Sequence, residues 1–190
     1  GGLVPALGGS VVLDGRDCTQ WPTERRVQVG IALVLQGGQV FPSLTVLENL
    51  RLASRATGRK GDRSATRDFE DVVPQLKGLL GRRAGVLSGG ERQMLAIAMA
   101  LSLRSRVLLL DEPTAGLSPR VAEDVLRSVR EHACAQGVAV VLVEQRVHEG
   151  LGTADQALVI RNGRVSARTT RPADWLEGET FDTLFLAPEQ

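Results

Sequence analysis

Two short, wholly apolar runs, Val107–Leu110 and Val138–Val143, separated by one amphipathic stretch, constrain this chain more than anything else in it. Runs so short and so free of polar residues suit strands of a parallel sheet that is covered on both faces. Between them Ser118-Pro119 supplies a helix start and Gly137 a stop, while Ala122, Val125, Leu126, Val129 and Ala133 recur at helical spacing. Strand, helix and strand in this order make a βαβ crossover. The predicted class is therefore α/β, with a mostly parallel sheet flanked by helices.

The remaining segments fit around that unit. Residues 10–15 end in an Asp-Gly turn after a β-branched run, and Gly30–Leu35 is a second strand-like run. Thr45 and Glu48 have the spacing of a capping box, which predicts a helix through Leu52. Ser88 and Glu91 repeat that spacing ahead of Met94, Ile97, Ala98 and Leu101. Ala157–Ile160, the Asn162-Gly163 turn and Val165 predict a closing hairpin. The polar stretch from Ala56 to Arg67 reads as an exposed loop or a loosely held helix start.

Composition narrows the function. Lys+Arg 23 against Asp+Glu 22 leaves a net charge of +1, which gives no bulk electrostatic drive toward nucleic acid. No apolar run reaches the roughly 18 residues needed to span a bilayer. Cys18 and Cys134 lie at no metal-ligand spacing, so a disulfide scaffold or zinc site has no support. The chain opens Gly-Gly-Leu, with neither a charged leader nor an apolar one.

Two motifs carry chemistry. Leu87-Ser88-Gly89-Gly90-Glu91-Arg92-Gln93 sets a hydroxyl and two side-chain-free amides at a helix start, where the helix dipole and unpaired N–H groups suit a phosphate oxygen. Read alone, it is a capped helix after a tight turn, and Ser-Gly-Gly by itself is a weak sign of a phosphate site. Val107–Leu110 followed by Asp111-Glu112 sets two carboxylates at the C-terminal end of a buried strand, where open α/β sheets bind ligands. Asp111 is placed to hold Mg²⁺ and Glu112 to orient and deprotonate an attacking water. The alternative is an acidic pair that merely ends a strand ahead of Pro113.

Together, and only one helix apart, the two motifs resemble the ATP-binding cassette (ABC) ATPases. The heptad at 87–93 is similar to that family's signature, and Leu108 to Ser118 to its Walker B strand and D-loop. Gln36 stands where the Q-loop glutamine is expected, ahead of Phe41-Pro42-Ser43-Leu44-Thr45-Val46. The resemblance implies a P-loop NTPase-like domain over residues 1–168, with a helical signature subdomain at about 43–100 and a tail at 169–190. It implies ATP and Mg²⁺ as cofactors, with Ser88, Gly89, Gly90 and Gln93 as nucleotide contacts. Asp111 and Gln36 are implied at the metal, and Glu112, Gln36 and Gln145 in catalysis.

Departures from the pattern matter equally. No Gly-x-x-x-x-Gly-Lys-Ser/Thr occurs, since Lys60 and Lys77 follow Arg59 and Leu76. Residues 1–15 resemble the segment that follows the P-loop helix. The expectation is an N-terminally truncated cassette, lacking its first strands and P-loop and inactive by itself. Glu144-Gln145 stands where the family carries an acidic residue and a switch histidine, and Ser118 where many members carry the D-loop aspartate. Both changes resemble ATPase subunits of importers for branched-chain amino acids, urea or short amides. His132 and His148 read as ordinary surface or packing residues.

The implied partners are a second cassette and transmembrane permease subunits, with the chain peripheral on the cytoplasmic face of the membrane. One alternative is a soluble ABC ATPase of DNA repair or translation, against which stands the lack of sustained heptads between Gln36 and Ser88. Another is a non-catalytic module that donates its signature face to a partner cassette.

Overall fold

The computed structural model describes residues 1–56, 74–103, 105–176 and 181–186. Beyond Ala56 itself, the polar stretch read as a loop lies outside them. The chain divides into two compact units, 1–143 and 144–190.

The first unit is built on a parallel sheet of β3 (Ile31–Val34), β4 (Val107–Asp111) and β5 (Ala139–Val143), in that order. Ile31 lies beside Val107 and Val107 beside Ala139, so the strands run in step and end at the same level. The crossover helix α4 (Pro119–Gln136) starts from Ser118 and stops at Gly137, which adopts the left-handed conformation (φ 65°) that a glycine accepts without strain. Ala122, Val125, Leu126 and Val129 form its buried stripe. The βαβ unit is as predicted.

One expectation about the sheet needs refinement. Leu108 and Leu110 are buried, whereas Val141 and Val143 of β5 are each about half exposed, at 54% and 55%. Among the described residues, one face of β5 is left uncovered, although its sequence is as apolar as that of β4.

Helix α3 (Gly89–Ser102) buries Met94, Ile97, Ala98 and Leu101 as its periodicity predicts, and also Leu95, Ala96 and Ala100. It packs against α2 (Val46–Ala56), one turn longer than expected. Asn49 of α2 is fully buried, which an asparagine tolerates only when its amide is bonded. Its Nδ2 donates to the carbonyls of Phe41 and Thr45 at 3.0 and 2.9 Å, and its Oδ1 accepts from the Phe41 amide at 2.8 Å. The segment 41–45 is thereby tied to the helix it precedes.

At the N-terminus β1 (Val12–Leu13) and β2 (Arg16–Asp17) form a small hairpin, its turn made by Asp14 and Gly15 with φ of 49° and 75°. Positive φ at both central residues is the type I′ turn that Asp-Gly favours. A helix not anticipated, α1 (Thr23–Gln28), follows Pro22 with no side-chain cap.

The second unit holds α5 (Val147–Thr153) and the antiparallel pair β6 (Ala157–Arg161) and β7 (Arg164–Thr169). The predicted Asn162-Gly163 turn is present, with φ of 48° and 73°. Trp175 is buried, Phe185 meets it edge-on, and Phe181 stacks on His148 at 4.7 Å. His148 is accordingly a packing residue. Half-buried His132 lies on α4 in the first unit. No helix among the described residues is long and apolar enough to cross a membrane.

Candidate functional site

Parallel strands that end level bring the loops after them together, and this is how β3 and β4 assemble the site. Gln36 follows β3, and Asp111-Glu112 ends β4. Gln36 Nε2 donates to Glu112 Oε2 at 2.8 Å, so two residues far apart in sequence meet at the sheet edge. Glu112 itself has a left-handed backbone (φ 47°), and its amide donates to the Val143 carbonyl at 2.9 Å. A non-glycine residue held in that region costs on the order of 1 kcal/mol, and the bond to β5 helps to hold it there. Asp111 and Glu112 are half-buried, Gln36 exposed.

The start of α3 offers a second element. Ser88 caps α3 with a complete capping box: its Oγ accepts from the Glu91 amide at 3.3 Å, and its amide donates to Glu91 Oε2 at 2.7 Å. The Ser88 backbone N–H, then its hydroxyl, then the nearby Arg82 charge hold the Glu91 carboxyl below the usual glutamate value. The box occupies the amides of Ser88 and Glu91. Gly89 and Gly90 supply the first two amides of the helix, which by geometry have no acceptor within it.

Their lack of side chains has different reasons. A Cβ at Gly90 would lie 2.9 Å from Cδ2 of Leu117, so this glycine makes room for that buried leucine. A Cβ at Gly89 would meet nothing within 4 Å. Nothing among the described residues demands glycine at 89, so a group approaching the helix end from outside meets no side chain there.

Gln93 is placed differently from the other candidates. It is 2% exposed, inside α3, and neither its Nε2 nor its Oε1 has a hydrogen-bond partner among the described residues. Its backbone instead packs on Gly38: a Cβ there would lie 2.8 Å from both N and Cα of Gln93. Gly38, with φ 62°, was not singled out in the sequence, although the Gly37-Gly38 pair marks a tight turn. Structure thus joins Gln36 to Glu112 on one side and the Gln36 loop to α3 on the other. Gln145 lies in the second unit and is exposed.

The arrangement suits a hard cation and a phosphate. Asp111 offers carboxylate oxygens and Gln36 a carboxamide oxygen, the sparse protein donor set that Mg²⁺ accepts when water and phosphate complete its shell. Among the described residues no cluster of three or more His, Cys, Asp or Glu side chains forms a richer metal cage.

A family model described as ABC transporter matches residues 2–115. The chain is 39% identical over 185 residues to the probable branched-chain amino acid transport ATP-binding protein LivF of Archaeoglobus fulgidus, covering 97% of this chain and 78% of that protein. It is 37% identical to the high-affinity branched-chain amino acid transport ATP-binding protein BraG of Pseudomonas aeruginosa, covering 90% and 73%. Among solved structures, a nucleotide-free ATP-binding cassette from an ABC transporter superposes with a TM-score of 0.76 at 25% identity, covering 98% of this chain and 77% of that one.

Proposed function

Because this chain belongs to the ABC transporter ATP-binding family, we propose that it is the ATP-hydrolysing subunit of an importer for branched-chain amino acids or a related small amide. In this reading it pairs with a second cassette, works under transmembrane permease subunits, and sits peripherally on the cytoplasmic face of the membrane. The names of the relatives support the solute class.

The observation that carries the reading is the 2.8 Å bond between Gln36 and Glu112. It sets a carboxylate able to accept a proton beside a carboxamide able to bind metal or water, at the end of the strand that carries Asp111. Asp111 and Gln36 would hold Mg²⁺, which supplies charge neutralisation at the phosphates when bound. Glu112 would take the proton of the attacking water. The amides of Gly89 and Gly90 would donate to a phosphate held by the opposite cassette, Ser88 fixing the helix end that presents them, with Gln93 buried behind. Gln145 would donate one hydrogen bond where an imidazole usually stands, without its charge.

The test is Glu112→Gln in the assembled transporter, with this chain joined to a P-loop segment, a motif absent from the sequence itself. Hydrolysis is expected to fall by about 10²- to 10⁴-fold with ATP binding retained, because the amide keeps the shape and loses the basicity. Turnover equal to the parent would remove Glu112 from this role. Uptake of labelled leucine, set against a labelled sugar, checks the solute; uptake of the sugar alone would overturn the solute class.

A further inference from the structure

Gln145 stands directly ahead of α5, a helix of seven residues that begins from Arg146 without a side-chain cap. A helix so short does not hold itself, because below about 12 residues the cost of the first turn is not recovered by the bonds that follow. Packing must therefore fix where α5 starts, and with it where Gln145 stands. The C-terminal segment supplies that packing. The 3₁₀ helix Pro172–Trp175 packs against α5, and Leu151 of α5 and Trp175 are both buried. Nearer Gln145, the His148 ring stacks on Phe181 with centroids 4.7 Å apart and planes 28° from parallel. Phe181 lies 5.1 Å from Phe185, which meets Trp175 at 6.4 Å, and Arg161 donates to the Leu184 carbonyl. A row of rings thus runs from buried Trp175 to the first turn of α5. Arg146 and Glu149 span the same turn at 3.6 Å, a separation at which a partly solvated ion pair adds little. His148 is itself exposed, so its stack on Phe181 is not a by-product of burying the imidazole.

We propose that Phe181 is a positioning residue for Gln145: by stacking on His148 it fixes the first turn of α5, and with it the direction in which the chain leaves Gln145. His148 is the link, a packing side chain three residues from the carboxamide that it helps to place. The consequence for hydrolysis rests on the role given above to Gln145.

Hydrogen exchange on the full chain reads this turn through the Gly150 amide, which donates to the Arg146 carbonyl at 3.0 Å. Phe181→Leu keeps apolar bulk and removes the stacking ring. The Gly150 amide is expected to exchange about two- to tenfold faster, the range that loss of one aromatic pair gives, with the amides of the β6–β7 ladder unchanged. Phe181→Tyr should restore the parent's rate. An unchanged Gly150, equal acceleration in the β6–β7 ladder, or a tyrosine no better than leucine would overturn the proposal, since apolar bulk or overall stability alone would then explain the contact. If Phe181→Leu fails to fold, His148→Leu at its exposed position should speed Gly150 by the same factor, and an unchanged rate there sinks the idea. In the assembled transporter, with this chain joined to a P-loop segment, Phe181→Leu is expected to lower kcat about twofold or more at unchanged KM, and to have no further effect in a Gln145→Ala background. Parental kcat in Phe181→Leu where Gln145→Ala is slow would overturn the positioning. Parental kcat in Gln145→Ala would instead remove the role given to Gln145, and the exchange rates would still decide whether Phe181 places it.

Discussion

Thr45–Glu48 and Ser88–Glu91 close their helices with the same reciprocal bonds, yet the two helix ends differ in what they leave over. In α2 the amides that follow the cap are consumed by the chain itself: Val46 donates to the Arg82 carbonyl at 2.9 Å and Leu47 to that of Leu80 at 3.1 Å. Val46 is fully buried there. In α3 the corresponding positions are Gly89 and Gly90, of which Gly89 has open space around it. A capping box is therefore no marker of a binding site. The two residues behind the cap decide whether the helix end is sealed by the fold or offered to a ligand.

The sharpest way to break this comparison is to put a carboxylate at each end. Val46→Asp buries an unpaired charge and is expected to cost about 3 kcal/mol or more of folding free energy, read by denaturant unfolding. Gly89→Asp should leave stability within about 0.5 kcal/mol while turnover of the assembled transporter falls about 100-fold or more, the carboxylate repelling phosphate. Equal destabilisation by both would show that α3 is sealed as well. Removing the caps comes next in size. Thr45→Ala and Ser88→Ala should each cost about 1 kcal/mol, and only the second should also lower turnover. A turnover loss of the same size in Thr45→Ala would erase the distinction.

The smallest effect is on acid stability, where the two ends should behave alike. The Thr45 backbone N–H, followed by its hydroxyl and by Arg51 and Arg83, holds the Glu48 carboxyl below its usual value, as Ser88 does for Glu91. A carboxyl lowered in the folded state stabilises it above the unfolded pKa, and that stability is lost as pH falls through the lowered folded value. Glu48→Gln and Glu91→Gln should each flatten slightly the decline in melting temperature below about pH 4, leaving the curve near pH 7 parallel to the parent's. A difference between the two variants at acid pH would show that one carboxylate has further partners.

Much of this was legible in the sequence because the signals are local. Ser118, Pro119 and Gly137 bound α4 through their own backbone preferences, and Asn162-Gly163 sets its turn through positive φ at both residues. Helix α1 was not legible: it lacks an apolar stripe and a capping side chain, and Pro22 before it reads as a breaker. Asn49 was not singled out in the sequence, because its burial depends on the carbonyls of Phe41 and Thr45 coming within reach. At the site the residue types were legible, but their pairing was not. The contact between Gln36 and Glu112 depends on the register of β3 on β4, and the burial of Gln93 on where Gly38 folds back.

Asn49 also has a mechanical consequence. A loop of five residues ahead of a helix would ordinarily bend under load and absorb it as a spring does. Here three side-chain bonds clamp both flanks of 41–45 to the first turn of α2, and Phe41 stands half exposed on the loop so clamped. The phenyl ring is thereby linked through Asn49 to α2, which in turn packs against α3. Segment 41–45 is tied to the start of α2 as one piece, and a single asparagine is its rivet.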